Sequence, residues 1–225
     1  MIQNKSKKTD FDTLADLPVK VDYLLLEDCF SNYKNPKKKI FDLKKKNYLH
    51  QIKRGLYFNL KSKQIESTPY EIIANSIYYP SYISMEWALQ HYGLIMDRVN
   101  TVTSVTLKRS KDFKTPYAPF VFKHISKNRY PTGYVTKTNK AGDSFLIARP
   151  EKALVDYVSI KTKNLKINTA DDIENFLEND LRLDLNEFLK ITNLNDLAEL
   201  LPFYHRNSKE HRILKWFIYR MDGSQ

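Results

Sequence analysis

The sequence predicts an α+β fold in two parts. A basic N-terminal module occupies residues 1–64, and a mixed domain follows over residues 65–225, helical in its tail from about residue 168. Three observations lead there. Helical spacing of apolar residues gives way in the middle of the chain to β-rich runs, TVTSVTL, APFVFKHI and TGYVTKT. Apolar residues fill 42% of the 225 positions, enough for a sizeable core, while five glycines are too few for Gly-rich phosphate loops. Charge is unevenly spread: residues 1–66 hold 15 Lys and Arg against 8 Asp and Glu, residues 166–225 hold 8 against 11. The net charge of +11 points to a polyanionic partner, and the acidic tail to a second surface with a different one.

The elements of the basic module follow in order. VDYLLLEDCFSNY reads as a short strand, Val21 to Leu25, running into a helix. Asn35-Pro36 is a helix start: the Asn side chain accepts backbone N–H bonds, and Pro36 suits the first helical position, whose N–H has no partner anyway. This second helix runs to about Lys46, with Asn47 as a left-handed stop. Ile40 and Leu43, three apart, face inward, Lys38 and Lys45 point away, and Lys37, Lys39, Lys44 and Lys46 flank them. YLHQIKRGLYFNL then reads as a two-stranded hairpin with Lys53, Arg54 and a glycine at its tip.

Helix, turn, lysine-rich helix and basic-tipped hairpin is the order of a winged helix-turn-helix. Its second helix fits the major groove of double-stranded DNA, with cations on the phosphates. The expected DNA-binding residues are Asn35, Lys37, Lys38, Lys39, Lys44, Lys45, Lys46, Lys53 and Arg54. For reading bases the helix offers only Asn35, Phe41 and Asp42, with no Arg or Gln, so phosphate affinity is better supported than sequence specificity.

In the second domain, Ser67 or Thr68 opens a helix with Ile72, Ile73 and Ile77 inward, broken at Pro80. A further helix opens at Ser81, or alternatively at Ser84, and stops at Gly93. The β-rich runs come next, then the helix in ARPEKALVDYVSI with Ala153, Leu154 and Tyr157 inward. The tail reads as several helices, the first started by Asp171-Asp172 and the last burying part of Ile213, Leu214, Trp216, Phe217 and Tyr219.

PSYISMEWALQHYGLI, VNTVTSVT, KHISKNRYPTGY and ARPEKALVDYVSIK together resemble the AbiEi family of antitoxins, which belong to type IV toxin–antitoxin systems of phage defence (abortive infection). The match covers roughly residues 20–160. Trp87 departs from it, standing where the family often has a small residue, and the tail is only weakly similar. The resemblance implies a transcriptional regulator that represses its own operon, two copies sitting on inverted repeats of the promoter. It also implies a cognate toxin of nucleotidyltransferase fold as partner. Two other readings stay open: an interaction protein that binds only the toxin, and an antitoxin that covalently modifies it.

No catalytic set emerges. The five histidines lack metal-site spacing, Cys29 is alone, and neither a phosphate loop nor a GxSxG turn occurs. Glu151 and Asp156, five apart on one helix, do not make a carboxylate pair; Glu151 is expected to support the helix start and Asp156 to make a structural bond. No catalytic residue, metal ligand or cofactor is assigned, and the chain is expected not to be an enzyme. The stretch holding Arg109, Lys111, Lys114, Lys123 and His124 is expected to face water, with its aromatics in the core. The single cysteine, the polar start and the lack of a ~20-residue apolar run suggest a cytoplasmic protein without membrane contact.

Overall fold

The computed structural model describes residues 9–223. It is a mixed α+β structure whose chain divides into two compact units. The first reaches Ile73 and takes in Thr115–Tyr117; the second comprises Ala74–Lys114 and the chain from Ala118 onward.

In the first unit the order is α1 (Asp10–Ala15), β1 (Lys20–Asp22), α2 (Tyr23–Cys29), α3 (Pro36–Lys45), β2 (Leu49–Lys53) and β3 (Leu56–Asn59). Helix α1, unforeseen in the sequence, is held by a capping box in which Thr9 and Asp12 satisfy each other's backbone N–H groups. The strand expected over Val21–Leu25 ends at Asp22. That residue is a helix N-cap, its carboxylate accepting from Leu25 N at 2.8 Å, so Tyr23–Leu25 are helical instead.

The three strands form an antiparallel sheet in the order β1-β3-β2. Beneath it lies a core of Leu14, Val21, Leu26, Phe30, Ile40, Leu43, Leu49 and Tyr57. Buried Asn59 donates to the Leu14 carbonyl at 2.6 Å and so ties the end of α1 to β3. The β2–β3 turn is Arg54-Gly55; Gly55 takes φ +77°, which an L side chain rarely adopts, and a bulge lies between Gln51 and Lys53.

Helix α4 (Tyr70–Ile77) leads into the second unit. There follow β4 (Ser81–Ile83), α5 (Met85–His91), β5 (Val102–Thr106), β6 (Lys111–Lys114), β7 (Pro119–His124), β8 (Tyr134–Thr138), β9 (Ser144–Ala148) and α6 (Pro150–Lys161). The six strands are ordered β6-β7-β5-β4-β9-β8, with β5/β7 and β4/β9 parallel and the other pairs antiparallel. Ser81–Ile83, which a helix opening at Ser81 would have included, is a central strand buried at every residue. Such a strand shows no alternation to read. The alternative start at Ser84 is the observed N-cap.

The tail consists of α7 (Ala170–Asn175), which continues as a π-helical turn to Asp180, then α8 (Leu185–Ile191), α9 (Leu194–Leu200) and α10 (Lys209–Asp222). Helices α9 and α10 pack on α6. Ile213, Leu214 and Phe217 are buried, Trp216 is half-buried, and Tyr219 is exposed. No helix among the described residues is long and apolar enough to cross a membrane.

Candidate nucleic-acid interface

Helix α3 is set by local chemistry at both ends. Asn35 Oδ1 accepts from Lys38 N at 2.9 Å, Pro36 occupies the first turn, and Asn47 takes φ +54° just beyond the C-cap. Ile40 and Leu43 are almost fully buried, which fixes the helix rotation and turns Lys37, Lys38, Phe41, Lys45 and Lys46 to solvent. Lys53 and Arg54 are exposed at the tip of the β2–β3 hairpin in the same unit.

The expected cations do not all stand alike. Lys39 is partly buried; its ammonium pairs with Asp10 Oδ2 at 2.5 Å and lies 4.3 Å from the centre of the Tyr33 ring. Burial alone would raise the Asp10 pKa, but hydrogen bonds from Lys39 and Tyr33 and the charges of Lys39 and Lys46 hold it below the usual carboxylate value. Lys39 therefore fastens α3 to α1. Lys44 Nζ donates to Gln51 Oε1 at 2.6 Å and fastens α3 to β2. Asn35 spends its carbonyl oxygen on the cap. Of the expected cations, Lys37, Lys38, Lys45, Lys46, Lys53 and Arg54 are exposed.

In the second basic stretch Phe120 and Phe122 are fully buried, whereas Arg109, Lys111 and Lys114 are exposed and Lys123 lies 3.5 Å from Asp112. Phe120 and Phe122 are core residues, as the alternation of β7 requires, whereas Tyr117, outside that strand, is only half-buried.

The second unit holds a cluster that the sequence pattern does not announce. Lys152, Asp156, Tyr82 and Ser84 have essentially no exposure. Lys152 Nζ meets Asp156 Oδ1 at 2.7 Å, and Asp156 Oδ2 accepts from Tyr82 OH at 3.0 Å and Ser84 Oγ at 2.8 Å. The Tyr204 hydroxyl lies 3.4 Å from Lys152 Nζ. Burial first, then the Asp156 charge, pushes the Tyr82 and Tyr204 hydroxyls well above the usual phenol value, so both remain protonated; Tyr82 donates to Asp156, and Tyr204 accepts from Lys152. With its hydroxyl on Asp156, Ser84 leaves the start of α5 to Thr103, whose Oγ1 accepts from Trp87 N at 3.2 Å.

The segments PSYIS and PEKALVD thus meet in one buried clamp that joins β4 to α6. Asp156 makes the structural bond expected of it. Next to the clamp, Arg149 gathers Glu151 at 2.7 Å, Asp196 at 3.0 Å and Glu199 at 2.5 Å. A single lysine in a helix gives no sign that it will be buried; only the tertiary partners of Lys152 reveal its role.

No family model matches this chain, and no curated protein matches it.

Proposed function

We propose that the N-terminal module expected over residues 1–64, of which residues 1–8 lie outside the described residues, is a winged helix-turn-helix, with α2 and α3 as its helix pair, α3 in the major groove and the β2–β3 hairpin as the wing. The observation that carries this reading is the outer face of α3. Lys37, Lys38, Lys45 and Lys46 are exposed on a helix whose opposite face is locked into the core, within the element order α1-β1-α2-α3-β2-β3. Lys53 and Arg54 add charge at the wing tip. A rigid basic helix of this kind suits phosphates on either side of a groove.

On the resemblance to the AbiEi antitoxins, the chain is a cytoplasmic regulator and antitoxin. It represses its own operon at inverted repeats and neutralises a nucleotidyltransferase-like toxin. The test is a titration of the full chain with the fragment upstream of its own reading frame, against a scrambled fragment, at two salt concentrations. Preference for its own fragment supports a specific repressor. Equal, salt-sensitive binding reduces the reading to a basic domain with phosphate affinity. No binding at either salt defeats it and moves the weight to a module that binds only the toxin.

A further inference from the structure

Among the exposed lysines of α3 stands one large apolar side chain. Phe41 is 52% exposed. It lies one turn after Lys37 and one turn before Lys45, at i, i+4 and i+8, with Lys38 three residues back, so the ring sits inside the cationic stripe. Lys45 Nζ lies over the ring, 4.7 Å from its centre, a cation–π contact that holds a charge against the ring while about half of the side chain stays open to solvent.

Resting on the proposal that α3 enters the major groove, the geometry points to Phe41 as the residue that reads sequence there, by contact with the C5-methyl groups of thymines. The other candidates fall away on chemistry. Asn35 Oδ1 is occupied as the helix cap, and Asp42, between Lys38 and Lys46 on the same face, is half-buried and carries a carboxylate that the flanking phosphates repel. What remains is an apolar surface ringed by cations, and its complement is an apolar group ringed by phosphates. In the major groove the thymine methyl is that group, and no unmodified base other than thymine offers one. The partner is therefore duplex DNA carrying thymines in the half-site, which is a statement about specificity that lysine–phosphate contacts alone do not make.

Uracil pairs as thymine does but lacks the methyl group, so the test replaces thymine by deoxyuridine throughout the upstream fragment. The full-length protein and Phe41→Ala are titrated with both fragments, and thermal melts of the two proteins check folding. Wild type should bind the thymine fragment more tightly by roughly fourfold for each methyl buried against the ring. Phe41→Ala should bind both fragments alike, near the wild-type affinity for the deoxyuridine fragment. Phe41→Leu, which keeps an apolar surface, should retain part of the preference. Equal wild-type affinity for the two fragments overturns the inference, as does a preference that survives in Phe41→Ala, because that preference would then arise from DNA shape. If wild type binds neither fragment at low salt, the winged-helix reading fails and this inference with it. Salt-sensitive binding without thymine preference defeats this inference alone.

Discussion

Lys44 and Gln51 are joined across the first unit: the ammonium at the end of α3 donates to the amide oxygen on β2 at 2.6 Å. With the Lys39–Asp10 pair, this divides the lysines of α3 into those that hold the helix in place and those that face outward. The division is measurable in salt titrations on DNA. Each lysine that contacts a phosphate contributes about 0.9 to the log–log slope. Lys37→Ala, Lys38→Ala, Lys45→Ala and Lys46→Ala should each flatten the slope by about that amount. Lys39→Ala and Lys44→Ala should leave it within error. Slopes that fall equally for all six would show that the tethers open on DNA.

Lys39→Ala should register in stability instead. The change leaves Asp10, held by Lys39 and Tyr33, with one partner fewer in a partly buried place. A loss of roughly 1 kcal/mol is expected in urea unfolding. Exposed Lys37→Ala should change stability by less than about 0.5 kcal/mol.

Asp156 sets a larger stake. Replacing it with Ala strands the Lys152 ammonium, which has no exposure, and removes the acceptor of both Tyr82 and Ser84. Breaking a buried pair from one side costs about 3–5 kcal/mol. Replacing Lys152 by Met in the same chain removes the stranded charge, so the double variant should recover part of that loss. Urea midpoints of the two variants decide it; a double variant less stable than Asp156→Ala would mean that the ammonium has found another partner.

The parts of this fold that were legible in the sequence are those that one residue's chemistry decides. Asn35-Pro36 opens α3 and Asn47 ends it in a left-handed turn because a cap, a missing N–H and a small polar side chain act locally. Partners distant in sequence were not legible. Asp10 lies 29 residues from Lys39, and Tyr82 lies 74 from Asp156, so neither the tether nor the clamp leaves a local pattern. Strand β4 was hidden because both of its faces are covered, and α1 because its six residues are too few to show a period. The lysine-rich outer face of α3 was therefore readable as a group, but which of its lysines are spent internally was not.

Gly133 is held to glycine twice over. Its φ is +84°, and a Cβ there would meet Lys152 Cβ at 2.8 Å and Leu200 Cδ2 at 3.0 Å. Its carbonyl also accepts from Arg149 N at 2.8 Å, so the backbone has little room to shift. Gly133→Ala should cost about 2 kcal/mol or more, from left-handed strain and overpacking together. Gly55 also has positive φ, but no atom lies within 4 Å of where its Cβ would stand. Only the strain applies there, so Gly55→Ala should cost less. Equal losses in thermal unfolding would show that the contact with Lys152 is relieved by movement of the helix.

Glu151 gives the protein a pH dependence of definite sign. Burial raises its pKa from 4.5 to about 7, against the lowering pull of its own backbone hydrogen bond and of Arg149. The folded state thus holds the proton more tightly than the unfolded chain does. Stability from this group is fully present below pH 4.5 and is lost as pH rises through 7, because ionisation of the folded form then meets the burial penalty. Glu151→Gln keeps the shape without the ionisation. The stability of the variant minus that of wild type should therefore grow between pH 4.5 and 7, by on the order of 3 kcal/mol in total. Above that window the difference should be constant. Urea unfolding of both proteins at several pH values from about 4 to about 8.5 measures it. A difference that shrinks with rising pH would reverse the sign, and would mean that the ion pair with Arg149 outweighs the burial of the carboxylate.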